Sequence, residues 1–248
     1  MRNQRGFSLL ELIVVLGVLF VVTGAIFQMM NTASQRSSVE QAKLDMFQEA
    51  REFMDQMSRD LRQAGYPSPV NFTSTTLTAS PAANDTHAAA GLVKVSATEL
   101  QFEGDVGGVD LSGNPLNPGT VSEVHYYLDT STANGCPCLR RSQVPKITGD
   151  PLSAQSTPVY QTEVQGVQNT SIFTAFINGQ TGTPVTLPVD FDNNAATIAS
   201  IDTIVAVLTV QSKYIDPQTR VHPISTLTIS VRLNNCSQAA KSQPMSCY

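Results

Sequence analysis

Apolar positions run almost unbroken from Phe7 to Phe27, interrupted only by Ser8, Glu11, Gly17, Thr23 and Gly24. From Leu12 to Gln35 the chain carries no charge. As a helix, Phe7–Phe27 spans roughly 30 Å, about one hydrocarbon core. After Asn31 charges return, but the helical period persists. Val39, Ala42, Met46, Ala50, Phe53, Met57, Leu61 and Ala64 fall on one stripe. The other faces carry Arg36, Glu40, Lys43, Asp45, Glu49, Arg51, Glu52, Asp55, Arg59, Asp60 and Arg62. Asp55 precedes Arg59 at a supporting spacing. No proline occurs between Met1 and Tyr66, and Gly65, Pro67 and Pro69 then supply a stop. The pattern predicts one helix from about Phe7 to about Ala64, on the order of 85 Å long. Its first half is uniformly greasy and its second half is amphipathic.

Beyond the helix the periodicity changes. Residues 66–98 are rich in Thr, Ser, Ala and Pro without a period and read as a surface loop or meander. From Glu99 to Leu233 short β-branched and aromatic runs alternate with Gly, Asn and Pro clusters. They are "ELQFEG", "VSEVHYYLD", "CLRRSQV", "SIFTAFING", "SIDTIVAVLTVQSKY" and "ISTLTISVRL", with "DPQTR" as a hairpin loop between the last two. An antiparallel sheet of these strands needs a cover for its apolar face, and the helix stripe supplies one. The predicted class is therefore α+β: a long N-terminal helix, first membrane-spanning and then amphipathic, packed on an antiparallel sheet. No internal repeat is visible.

The chain has 248 residues and a formal net charge of −5, which disfavours nucleic acid as a partner. Arg2 and Arg5 precede the apolar run, so its N-terminus stays cytoplasmic and the bulk of the chain is exported. The four cysteines fit that compartment as disulfide candidates. Cys136 and Cys138 flank Pro137, and Cys236 and Cys247 bracket the C-terminal tail. A Cys236–Cys247 bridge would tie that tail down, with a stabilisation of about 2–3 kcal/mol. Sequence leaves all three connectivities open. Cys-x-Cys without a nearby His is poor zinc spacing, so no metal and no cofactor are expected.

Catalytic signatures are lacking. There is no G-x-S-x-G, H-E-x-x-H or G-x-x-x-x-G-K. His87, His125 and His222 stand apart from one another and read as surface or core residues. "DFDNN", Asp190 to Asn194, offers oxygen donors for calcium but lacks the glycine and distal Glu of an EF-hand loop, so a polar turn is favoured. Arg140 and Arg141 form the one adjacent basic pair of the exported part and read as solvated. An ordinary signal peptide is a rival reading of the apolar run, with a small-x-small site at Thr23–Ala25. Glu11 inside the run and the uninterrupted helix after it argue against that reading.

"RGFSLLELIVV" resembles the N-terminal signature of the type IV pilin-like family: a basic leader, Gly6, Phe7, and Glu11 five residues into the mature chain. The resemblance implies cleavage between Gly6 and Phe7 by the family's prepilin peptidase and methylation of the new Phe7 amine. It divides the chain into a leader (1–6), a membrane and assembly helix (7–30), its amphipathic continuation (31–64) and an exported β-rich domain (65–248). "FMDQMSRDLRQAGYPSP", "ELQFEGD", "VHYYLD", "CLRR" and "ISTLTISVRLNN" resemble PilW-type minor pilins and the related J-type pseudopilins of type II secretion. The implied function is a structural, non-enzymatic subunit that helps to initiate or tip a type IV pilus. A J-type pseudopilin and a tip-displayed adhesin or DNA receptor, using loops 67–98 and 104–120, are the alternatives. The implied partners are the peptidase and other minor and major pilins, which the N-terminal helix would contact. The subunit would wait in the inner membrane as a single-pass anchor, its domain periplasmic, before entering the filament. Glu11 has an implied role as well. A lone carboxylate in lipid is expensive, whereas one paired with a neighbour's N-terminal ammonium is tolerated. Many major pilins carry a proline in this half of the helix; here Gly17 and Gly24 are the only weak points.

Overall fold

The computed structural model describes residues 8–69, 72, 76–107, 121–132, 135–216 and 219–233. Helix α1 runs from Leu9 to Gln63, 55 residues and about 80 Å. It ends where the sequence places its stop. Gly65 takes a φ of 80°, and its amide donates to the Glu103 carbonyl at 2.8 Å. The chain divides into two compact units, Met1–Asp45 with Ser212–Pro223, and Met46–Gln211 with Ile224–Tyr248.

The first unit holds the apolar half of α1 and a hairpin connection. That connection closes through Ser212 N–H to Pro223 O at 2.9 Å and Asp216 N–H to Val221 O at 3.0 Å.

The second unit holds the rest of α1 and two sheets. The strands are β1 (Leu92–Val95), β2 (Glu99–Gly104), β3 (Ser122–Asp129), β4 (Cys138–Pro145), β5 (Tyr160–Gln165), β6 (Phe173–Phe176), β7 (Val189–Asp190), β8 (Thr203–Gln211) and β9 (Ile224–Arg232). One sheet has the order β5-β4-β3-β2-β1-β7 and the other β6-β8-β9. Neighbouring strands pair antiparallel in both. A short helix α2, Ala195–Ser200, precedes β8. The Val167–Val210 bridge ties the chain leaving β5 to the second sheet.

Register decides what each face carries, because side chains alternate along a strand. Leu100 lies opposite Tyr126 and Phe102 opposite Val124, whereas Gln101 meets His125 and Glu103 meets Glu123. The apolar set joins Ala50, Phe53, Met54, Met57, Leu61 and Ala64 of α1 in one core, with Phe173, Ala206, Leu208 and Val210 of the second sheet. The fold is thus α+β, with the lower part of the helix packed on antiparallel sheet. Close approach fixes one position: a Cβ at Gly104 would stand 2.5 Å from the Gln63 carbonyl oxygen, so only glycine lets β2 meet the helix end.

Two expectations need correction. Residues 66–98 are not all surface loop: Ala88, Ala89 and Ala90 are buried and Leu92–Val95 is a strand. Small side chains gave that stretch no hydrophobic period, yet they fit under covering chain where larger ones would clash. Asp60, which the sequence places off the apolar stripe of the helix, is buried.

Candidate functional site

The lower half of α1 is held by polar contacts set into an apolar surface. Tyr126 donates its phenol proton to Asp60 Oδ2 at 2.6 Å, and Arg141 reaches the same oxygen at 2.8 Å. Arg141 also donates to Gln143 Oε1 at 2.6 Å, and the Phe53 ring meets Tyr126 edge-on at 5.6 Å. Burial raises the Tyr126 pKa, and the Asp60 charge raises it further. The phenol therefore stays a hydrogen-bond donor. Arg140 turns to the opposite face and pairs with Asp129 at 3.1 Å. The adjacent arginines are thus not a solvated basic patch; each is committed to an acid. Sequence reasoning missed Asp60 because one charge on an amphipathic helix carries no mark of being buried.

The upper half of α1 contrasts with this. Leu9, Phe20 and Met29 are about three-quarters exposed, and no part of the most apolar window is buried. The helix is long and apolar enough to cross a membrane. Polar side chains there do not interrupt the surface. Thr23 donates to the Leu19 carbonyl at 2.7 Å and Thr32 to that of Gln28 at 2.9 Å, which returns their hydroxyl protons to the helix backbone. Glu11 sits in the first turn of the helix, where the aligned peptide dipoles favour a carboxylate. It forms no ion pair among the described residues. Gly6 and Phe7 lie outside the described residues.

Cys136 and Cys138 are joined as a disulfide, with Cα atoms 4.6 Å apart. Asp129 lies beside them, close enough for the three to be considered as metal ligands. With the sulfurs bonded to each other neither is a free thiolate, and Asp129 accepts from Ser131 N–H at 2.8 Å besides pairing with Arg140. The ring has a structural consequence instead. The carbonyl of Pro137, inside it, accepts the amides of Gly166 and Val167 at 3.0 and 3.2 Å. That is where the chain passes from the first sheet to the second. Cys236 and Cys247 lie outside the described residues.

On β2 and β3 the sheet face away from the helix is polar. Glu99 contacts Lys94 and His125 at 2.6 Å each, and His125 Nδ1 meets the Tyr160 hydroxyl at 2.6 Å. The hydrogen bond from His125 is the main cause that holds the Glu99 carboxyl down to about 2. Further along this face, Lys146 and Glu103 form a buried pair at 2.6 Å, and burial raises Glu103. Glu123 opposite is pushed up to about 7, chiefly by burial. It accepts the Ser156 amide at 2.9 Å. The histidines have partners: His87 Nδ1 meets Asp85 at 2.7 Å and His222 Nδ1 meets the Ser212 carbonyl at 2.9 Å. "DFDNN" is a polar turn, in which Asp190 Oδ1 accepts the amides of Asp192 and Asn193 at 3.0 and 2.7 Å. Of the expected display loops, residues 108–120 lie outside the described residues.

Among the described residues, the contacts thus account for the polar clusters of the sheet domain and leave the apolar part of the helix exposed. Residues 1–27 match the model of the prokaryotic N-terminal methylation motif. The chain opens with a type IV pilin-like prepilin signal. The motif covers Glu11 and the uncovered part of α1, whose side chains are exposed. No curated protein and no solved structure matches the chain.

Proposed function

We propose that the chain is a minor pilin of the PilW type, a non-enzymatic subunit that helps to initiate or tip a type IV pilus. The single observation that carries the reading is the methylation motif on residues 1–27, continued by a helix that is bare at one end and domain-bound at the other. Prepilin peptidase cuts between Gly6 and Phe7 and methylates the Phe7 amine. The bare helix holds the subunit in the inner membrane as a single-pass anchor, N-terminus cytoplasmic and domain periplasmic, until it enters a filament beside other pilins. There the Glu11 carboxylate faces the N-terminal ammonium of a neighbour. Pairing offsets the desolvation of both charges and fixes the register between subunits.

The PilW-type resemblance supports the subfamily. Its segments are the end of α1, then β2, β3, β4 and β9, in that chain order. Gene disruption tests the assignment. Loss of pili with normal protein secretion supports a minor pilin. Loss of secretion with normal pili identifies a J-type pseudopilin instead, and no effect on either contradicts both.

A further inference from the structure

The connection between β8 and β9 carries side chains that the filament reading does not use. Tyr214, Ile215 and Val221 are 61%, 54% and 58% exposed. Among the described residues outside α1 and this connection, the large exposed apolar side chains are Tyr66, Tyr127, Ile147, Val159 and, at the start of β9, Ile224, a spread that is ordinary for a protein surface. Here three fall within residues 214–221. Beside them stand Lys213 and Arg220 against Asp216, in a chain whose net charge is −5. Apolar and aromatic side chains interleaved with cations suit the boundary between acyl chains and anionic headgroups.

The two flanks of the connection are bonded to each other. Arg220 N–H donates to the Asp216 carbonyl at 2.7 Å, and Asp216 N–H to that of Val221 at 3.0 Å. The segment therefore presents side chains without offering these amides, unsatisfied, to a poorly hydrating layer. Its location fits as well. Residues 212–223 share a compact unit with residues 1–45. That unit contains the whole apolar run of α1, and the first charge after Glu11 is Arg36.

We infer that the β8–β9 hairpin is a second membrane contact, resting in the headgroup layer of an anionic bilayer while α1 is anchored. Extraction into a filament would then have to break this contact too. The inference rests on α1 being embedded, so the experiment reads the two separately.

The chain contains no tryptophan, so a single introduced indole reports its own surroundings. Full-length Tyr214→Trp, Phe20→Trp and Tyr127→Trp are placed in phosphatidylethanolamine–phosphatidylglycerol vesicles with or without brominated acyl chains. Tyr214→Trp is expected to shift blue, to be quenched by bromolipid and to be shielded from iodide. Phe20→Trp should be quenched more strongly by bromolipid, and Tyr127→Trp by iodide alone. Adding Lys213→Glu and Arg220→Glu to the Tyr214→Trp chain, or using phosphatidylcholine alone, should shift its hairpin towards water, roughly fivefold per cation lost. Suppose the indole at position 214 is quenched by iodide and not by bromolipid, while the one at position 20 is quenched by bromolipid. That result overturns the hairpin contact and leaves the anchor intact. Blue-shifted emission from position 214 that neither quencher reaches means that a second copy covers the hairpin, and also overturns it. Bromolipid quenching unchanged by charge reversal and by phosphatidylcholine contradicts the anionic surface. An unquenched indole at position 20 overturns the anchor, whatever position 214 does.

Discussion

The two ends of α1 belong to one uninterrupted helix yet answer to different partners. Around Asp60 every large side chain on the inner stripe meets the sheet domain, and the one buried charge is bound by Tyr126 and Arg141. Around Leu16 the apolar side chains are exposed on every face, and the carboxylate of Glu11 has no countercharge among the described residues. The lower end is specified by the chain itself. The upper end is specified by whatever surrounds it, first lipid and then, on the proposed reading, other subunits. A helix that is hydrophobic all round asks to be buried by something else; one with a single stripe asks for one domain.

Substitutions should separate the two ends. The largest expected effect is Glu11→Ala, which should remove the subunit from sheared filaments while leaving its membrane level and its urea unfolding unchanged; immunoblots of the filament and membrane fractions would read this. Equal incorporation of the variant would sink the pairing role.

Next is Asp60→Ala, which strips a buried arginine and a buried phenol of their shared acceptor. Breaking such a pair from one side should lower stability by about 3–5 kcal/mol, measured as a shift in urea midpoint at unchanged slope. Met57→Ala on the same stripe should cost about 2–5 kcal/mol. The matched change Leu16→Ala should stay within about 0.5 kcal/mol for unfolding of the sheet domain. Comparable losses at positions 57 and 16 would erase the contrast.

A smaller effect is the pH dependence of the sheet domain. Glu123 has its folded pKa raised from 4.5 to about 7. Its stabilisation is complete below 4.5 and is lost as pH rises through 7. Glu99 is lowered from 4.5 to about 2, so its contribution is present above 4.5 and is lost as pH falls through 2. Urea midpoints should therefore be highest between these limbs. Glu123→Gln should flatten the alkaline limb and Glu99→Gln the acid limb, and a profile unmoved by either change would contradict the assignments. Smallest is the pair Cys136→Ser and Cys138→Ser. So short a loop is worth about 1–2 kcal/mol by chain entropy, and the loosening should appear as faster amide exchange at Gly166 and Val167.

Much of this contrast is legible in the sequence, because a continuous apolar run and a one-sided stripe are strong periodic signals. The stripe from Ala50 to Ala64 and the strands at Glu99–Gly104, Thr203–Gln211 and Ile224–Arg232 follow from it. What stays hidden has physical causes. Ala88–Ala90 is core made of methyl groups, without the bulk that marks a buried run. Tyr160–Gln165 is a strand at the sheet edge; its Tyr, Thr and Val alternate with Gln, Glu and Gln, but only two of the six are apolar enough to mark a buried face. Asp60 and Arg141 are 81 residues apart, and only tertiary packing makes them partners. The disulfide between Cys136 and Cys138 is one of several pairings that the sequence leaves open, and its link to the passage between the sheets depends on the Pro137 carbonyl, which no side-chain pattern records.

The most direct test of the account is intact-mass and N-terminal analysis of the protein taken from its native membranes. The account predicts a chain that begins at a methylated Phe7. A chain beginning after Ala25, or an uncut Met1, would contradict it.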